Sequence, residues 1–246
     1  MKTKSSYIFT GKLALGLILV LTTLSLPAQQ KMALVFDSFH GQNPRNAEVF
    51  NGLLSADANA SVTINDTEIN DAALKDKKAL LIFSPTKAFA ANEKQSIVKY
   101  LREGGSMMLI FDEERRTPLE TVGVNDLIKP FGMSLTENAP VRHNCGAVAE
   151  KSAICSDKRE LPYSGGRSIK GGAVLSKVND DGAFVHSAYV TLPANGKLIV
   201  MSDGMAGLLM GGPDGVRFSG TGPSDSKYWG KDSKVFMEEI FAFLLK

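Results

Sequence analysis

The stretch FDSFHGQNP, Phe36 to Pro44, brings Asp37, His40, Gly41 and Asn43 together directly after an apolar run, MALVF. An aspartate and a histidine at that spacing can serve as orienter and base. With a further carboxylate they can hold a metal ion. Gly41 would let a ligand come close to the backbone, and a helix opening at Asn43 and Pro44 would offer free N–H groups to an anion. The same residues can instead satisfy one another, with His40 bonded across to a neighbouring strand end and Asn43 capping the helix. The structural role ranks first here, a ligand cradle second and catalysis third, because corners of a parallel sheet need polar lining.

Two further clusters carry charge. Asp112, Glu113 and Glu114 precede Arg115 and Arg116. Glycoside hydrolysis needs two carboxyls facing each other across roughly 5 to 10 Å. Adjacent residues on one strand point opposite ways, so a second carboxylate would have to come from elsewhere, such as Asp203. A solvated loop is the plainer reading. Ser202-Asp203-Gly204 ends a buried run, but Ser202 lacks the G-x-S-x-G surroundings of a nucleophile and reads as a helix cap or ligand-lining group. The ligand-binding candidates are therefore Asp37, His40, Gly41, Asn43, Glu113, Ser202 and Asp203, with Asp37, His40 and Asp203 as the alternative catalytic set.

His143 and His186 read as structural or surface residues. Tyr228 and Trp229, in the glycine-rich stretch 211–230, could stack on a sugar ring, but anchoring that loop to the core is the simpler role. GGPDG lacks the Lys-Ser/Thr ending of a phosphate loop. No cofactor is implied and no metal site is assigned. Cys145 and Cys155 are the only cysteines. In an exported chain they read as a disulfide rather than metal ligands, worth about 2–3 kcal/mol for so short a loop.

The elements that must position these residues follow from hydrophobic pattern. KMALVF, SVTI, KALLIFSP, SMMLIFDE and GKLIVMSDG read as strands, most of them continuous apolar runs. Helical stretches separate them: one from Asn43-Pro44 to about Leu54, DAALKD, ANEKQSIVKYLR stopped by Gly104-Gly105, and a C-terminal helix with Asp232 as its N-cap. VNDLIKPFGMSL reads as a short helix broken at Pro130, then a turn and strand. Residues 137–195 read as an inserted loop and β region in which GAVLSKV and AFVHSAYVTL form antiparallel strands. Alternating buried strands and helices predict an α/β fold: a doubly wound, mostly parallel sheet with helices on both faces. Such sheets place ligands beyond the carboxyl ends of their strands, where Asp37–Asn43, Asp112–Glu114 and Ser202–Gly204 would converge.

Residues 1–28 read as a signal peptide: Lys2, Lys4 and Lys12, then Leu13–Leu26, then Pro27-Ala28 before a cut at Gln29. The apolar run is shorter than the roughly 18 to 20 residues of a spanning helix. The expectation is a periplasmic or secreted protein, tethered to a membrane only if that segment is retained. Its removal takes away three lysines and no acid from 28 basic and 26 acidic residues, leaving one more acid than base. Without a basic stripe, nucleic acid is excluded as a partner. Residues 29–246 suit one domain.

Taken together, VFDSFHGQN, LLIFSPTKAFAANEKQSIVKYLREGGSMMLIFDE, VNDLIKPFGMSL and GKLIVMSDGMA resemble the class I glutamine amidotransferase-like domain of secreted bacterial proteins. The domain is similar to that shared by gliding-motility transport accessory proteins and an intraflagellar-transport subunit. The resemblance covers most of 31–136 and 196–245 and implies a flavodoxin-like fold rather than a reaction. Amidotransferases of this class carry a cysteine in a G-x-C-x-G turn after a central strand. Here MMLIF runs into Asp112-Glu113-Glu114, so glutaminase chemistry is not expected. The resemblance implies a non-catalytic binding or scaffolding domain in an envelope or glycan-handling system, with a glycan, a small molecule or an envelope protein as partner. The alternative is a hydrolase, with or without a divalent metal.

Overall fold

The computed structural model describes residues 32–41, 60–138, 146–161, 163, 165–179, 184–202 and 232–246. The uninterrupted apolar runs are strands: β1 (Met32–Asp37), β3 (Lys77–Phe83), β4 (Ser106–Phe111) and β11 (Lys197–Ser202), the last two buried at every position. A strand with no polar alternation must be covered on both faces, and parallel pairing supplies that arrangement. With β2 (Ala60–Asn65) they lie in the order β2-β1-β3-β4-β11, each parallel to the next.

Beyond β11 the same sheet continues antiparallel through β10 (Val185–Thr191), β9 (Ala173–Val178), β6 (Ala147–Ala149) and β7 (Arg159–Leu161). The middle of the chain thus extends the sheet, with β9 and β10 paired as the sequence predicts. β5 (Ser134–Asn138) and β8 (Arg167–Lys170) form a separate antiparallel pair. The sheet as a whole is mixed, half parallel and half antiparallel by its pairings.

Alternate residues of the parallel strands enter two cores, as a period of two requires. Val35, Leu80, Ile82, Leu109 and Val200 cluster with Ile97 and Leu101 of α2 (Ala91–Arg102), which follows the single turn α1 (Asp71–Leu74). Leu34, Phe36, Leu81, Ile110 and Met201 cluster with Phe236, Ile240 and Leu244 of α5 (Ser233–Leu244). The VNDLIKPFGMSL segment follows α3 (Leu119–Val122) and comprises α4 (Asn125–Ile128), a 3₁₀ turn at Lys129–Phe131 that accommodates Pro130, and the start of β5. Asp232 stands at the N-cap of α5, but its carboxylate accepts from the Glu160 N–H (2.8 Å), tying the helix to β7 instead of capping it.

The signal segment, the helix expected from Asn43, Asp203 and the glycine-rich loop with Tyr228 and Trp229 lie outside the described residues. No helix among the described residues is long and apolar enough to cross a membrane. Cys155 is a fully buried free thiol, while Cys145 lies outside the described residues, so the disulfide read from the sequence does not figure among their contacts.

Candidate functional site

The carboxyl ends of the five parallel strands form one edge, with Asn65, Asp37, Ser84, Asp112 and Ser202 at or just past the ends of β2, β1, β3, β4 and β11. Register fixes the order: Asp37 pairs with Asn65, and Ser202 with Phe111. The chain order reverses between β1 and β3, so the Asp37–Gly41 turn lies at the switch point where open α/β sheets bind ligands.

At that point His40 is fully buried between two carboxylates. Its Nδ1 is 2.9 Å from Asp37 Oδ2 and its Nε2 is 3.2 Å from Glu93 Oε2. Phe89 stacks on the imidazole with centroids 3.9 Å apart, and Phe39 meets it edge-on. Burial pushes the imidazole toward its neutral form, but the bond and charge of Asp37, followed by those of Glu93, outweigh it and hold the pKa above the ordinary histidine value. The ring therefore holds its proton more tightly than a free histidine, with a carboxylate against each nitrogen.

Glu93 does more than face the histidine. Third in α2, it accepts the Ala90 N–H (2.8 Å), and its other oxygen accepts the Ile69 N–H (2.7 Å). An acid in a helix's first turn is electrostatically favoured there, and orphan N–H groups need acceptors. The His40 carbonyl in turn accepts from Thr86 (2.7 Å) and Lys87 (3.2 Å) backbone N–H groups. Gly41 sits at φ +105°, and a Cβ there would lie 2.0 Å from Thr86 Oγ1. The close approach that needs this glycine is made by Thr86. Among the described residues, Asp37 Oδ1 and Ser202 Oγ are buried at this edge without a hydrogen-bond partner.

The acidic turn after β4 is organised by Arg167, a buried residue of β8. Its Nε donates to the Asp112 carbonyl (3.0 Å), Nη1 to the Thr136 carbonyl (3.2 Å), and Nη2 to the Thr117 carbonyl (3.2 Å) and the Glu114 carboxylate. The guanidinium lies 5.5 Å from the Phe111 ring centroid. Asp112 accepts from its neighbour's N–H and from Arg116, while Glu113 pairs with Arg115 and Arg116. The Arg167 bond, together with the Leu119 N–H, lowers the pKa of Glu114. Every carboxylate of the DEERR stretch thus has a cationic partner within reach.

A third polar group is buried in the antiparallel half. Ser176 Oγ contacts His186 Nδ1 (2.8 Å) and Ser187 Oγ (2.5 Å), and Tyr163 meets the His186 ring edge-on. Burial drives the His186 pKa down to about 4, so this imidazole is neutral.

Of the residues singled out from sequence, Asp37 and His40 are in contact, and Gly41 closes the same turn. Glu113, in the turn after β4, and Ser202, the last residue of β11, share the edge away from β1, and Asn43 and Asp203 lie outside the described residues. The partners missed were Glu93 and Arg167. An acid at the third position of a predicted helix was a legible signal for the first. Nothing local marked the second.

The strand order β2-β1-β3-β4-β11 and the covered faces define an α/β protein of flavodoxin-like strand order. The model of the IFT52 GIFT domain matches residues 42–146, starting just past the His40 turn. Among solved structures, the mmIFT52 N-terminal domain superposes with a TM-score of 0.64 at 14% identity, covering 86% of this chain and 96% of that one. A Thermoplasma acidophilum protein described as part of a GMP synthase superposes with a TM-score of 0.53 at 10% identity, covering 89% and 94%. At these identities the likeness is one of fold. Among curated proteins none matches the chain.

Proposed function

We propose that this protein is a non-catalytic binding or scaffolding domain, exported by cleavage before Gln29 and working in an envelope or glycan-handling system. Its fold would be the doubly wound, flavodoxin-like one, carrying the 137–195 region as an insert. The observation that carries this proposal is the state of His40. A general base or metal ligand needs a nitrogen lone pair open to substrate or ion. Both nitrogens of His40 face carboxylates, and the ring has no exposed surface. Likeness to the GIFT domain and to the mmIFT52 fold supports the same role.

The hydrolase alternative draws on the unpartnered Asp37 Oδ1, a buried acceptor at the switch point. Turnover on a panel of glycans and esters, with metal analysis of the purified protein, separates the two. A scaffold gives no turnover and no stoichiometric metal. Turnover abolished by Asp37→Asn, or bound metal lost with His40→Ala, would overturn the scaffolding role. Mass spectrometry of the native N-terminus tests export, with a chain starting at Gln29 expected.

A further inference from the structure

β6 covers only part of β9. Its last residue, Ala149, pairs with Ser176, so among the described residues no strand pairs with Ala173, Val174 and Leu175 on that side. Val174 is 46% exposed; apart from Ile64 it is the only large hydrophobic residue so exposed among those described. A groove of about 460 Å³ occupies the place where β6 leaves off. Lys151, Lys158 and Lys177 line it together with Glu150, and none of these lysines has an ion-pair partner among the described residues. An open strand edge offers unpaired N–H and C=O groups to any extended chain, and charges along it choose which chain may pair.

We propose that this open end of β9 is a docking surface for an acidic, extended segment of another protein, which would continue β6 and pair with residues 173–175. The charge settles the occupant. A second copy of the same edge would bring lysines against lysines, which disfavours self-pairing, whereas a strand carrying Glu or Asp at alternate positions meets three ammonium groups that have no ion-pair partner among the described residues, and lays its apolar residues on Val174. This surface deepens the scaffolding role proposed above and rests on it.

The test uses the full chain and a fluorescein-labelled short peptide of alternating glutamate and valine, read by fluorescence anisotropy at low and high salt. Binding is expected, weakening as salt rises. Reversing two lysines, Lys151→Glu with Lys177→Glu, should weaken it by about tenfold. These side chains are exposed, so the circular dichroism and Tm should stay as in the parent. Val174→Asp, on the same edge, should weaken binding equally. A peptide with proline in place of its central valines should bind less tightly, since proline cannot donate to a ladder. Four results would overturn the proposal: no binding, binding untouched by the lysine reversals, equal binding of the proline peptide, or preferential binding of a single-stranded DNA oligomer. Turnover in the substrate panel would instead defeat the scaffolding role and leave the anisotropy result standing.

Discussion

His40 Nε2 stands 3.2 Å from Glu93 Oε2, although 53 positions separate the two residues in sequence. The pair fastens the exit of β1 to the first turn of α2, and through the second Glu93 oxygen to Ile69 at the start of the α1 segment. Three segments of chain therefore converge on one carboxylate. Because the cluster is buried, removing one member leaves the others unpaired in a poorly solvating interior, which is where large mutational effects arise.

Glu93→Ala removes the acceptor of two backbone N–H groups and the carboxylate facing His40 Nε2. A loss of about 3–5 kcal/mol is expected. Urea unfolding should show a lower midpoint with an unchanged slope. Glu93→Gln keeps the shape and one acceptor and should fall between. If Glu93→Ala lost under about 1 kcal/mol, the carboxylate would not be the fastening described.

The histidines predict opposite pH limits. His40 has a raised folded pKa, so it binds its proton more tightly in the folded state. Its contribution is complete below the unfolded value, near 6.5, and fades as pH rises through the folded value. The parent should lose stability on going alkaline through that window, while His40→Asn, weaker at the start, should show a flatter profile. Equal slopes in the two proteins would assign the effect to another group.

His186 works from the acid side. Its folded pKa, about 4, lies below the ordinary 6.5, so its contribution is full above 6.5 and disappears as pH falls through 4. The difference corresponds to about 3 kcal/mol. His186→Gln stays neutral and can still accept from Ser176. Chemical denaturation at pH 7 and at pH 4 should show the parent losing about that much more than the variant.

Arg167→Met should destabilise by about 3 kcal/mol or more, because three backbone carbonyls each lose a donor and Glu114 loses its cationic partner. Arg167→Lys should recover little of this, since one ammonium cannot reach acceptors arranged around a planar fork. Full recovery with lysine in a thermal melt would reduce the site to a simple charge contact.

The strands were legible because β1, β3, β4 and β11 are short apolar runs bounded by polar residues, a pattern read without long-range information. Asp37 and His40 were legible as a pair because they lie three apart at a strand end. Their third partner was not, since Glu93 is placed by the packing of α2 on the sheet, and the sequence shows only its place in the helix's first turn. Arg167 was still less visible. It reads as one residue of an unremarkable RSIK run, and only the β5–β8 pairing carries it against the end of β4. The extension of the sheet through β6 and β7 was hidden for a related reason: three-residue strands are too short to show a period.

Cys155 provides a direct measure of how firmly the α5 face is closed. Its thiol is fully buried beside Ser152 and near Glu239, whose carboxylate is held by Arg159 and Ser156. Burial, then the Glu239 charge, pushes the Cys155 pKa up to about 11 from 9.0. Because the thiolate is the reactive form, that shift alone slows modification by about a hundredfold at pH 8, before any shielding by the fold. In a Cys145→Ser variant, where Cys155 is the sole cysteine, a disulfide reagent should leave the native protein unlabelled. One thiol should be released along the same urea transition that circular dichroism follows. Rapid labelling without denaturant would mean that the face opens locally at far lower free energy than global unfolding, and that Glu239 and Arg159 do not hold it shut.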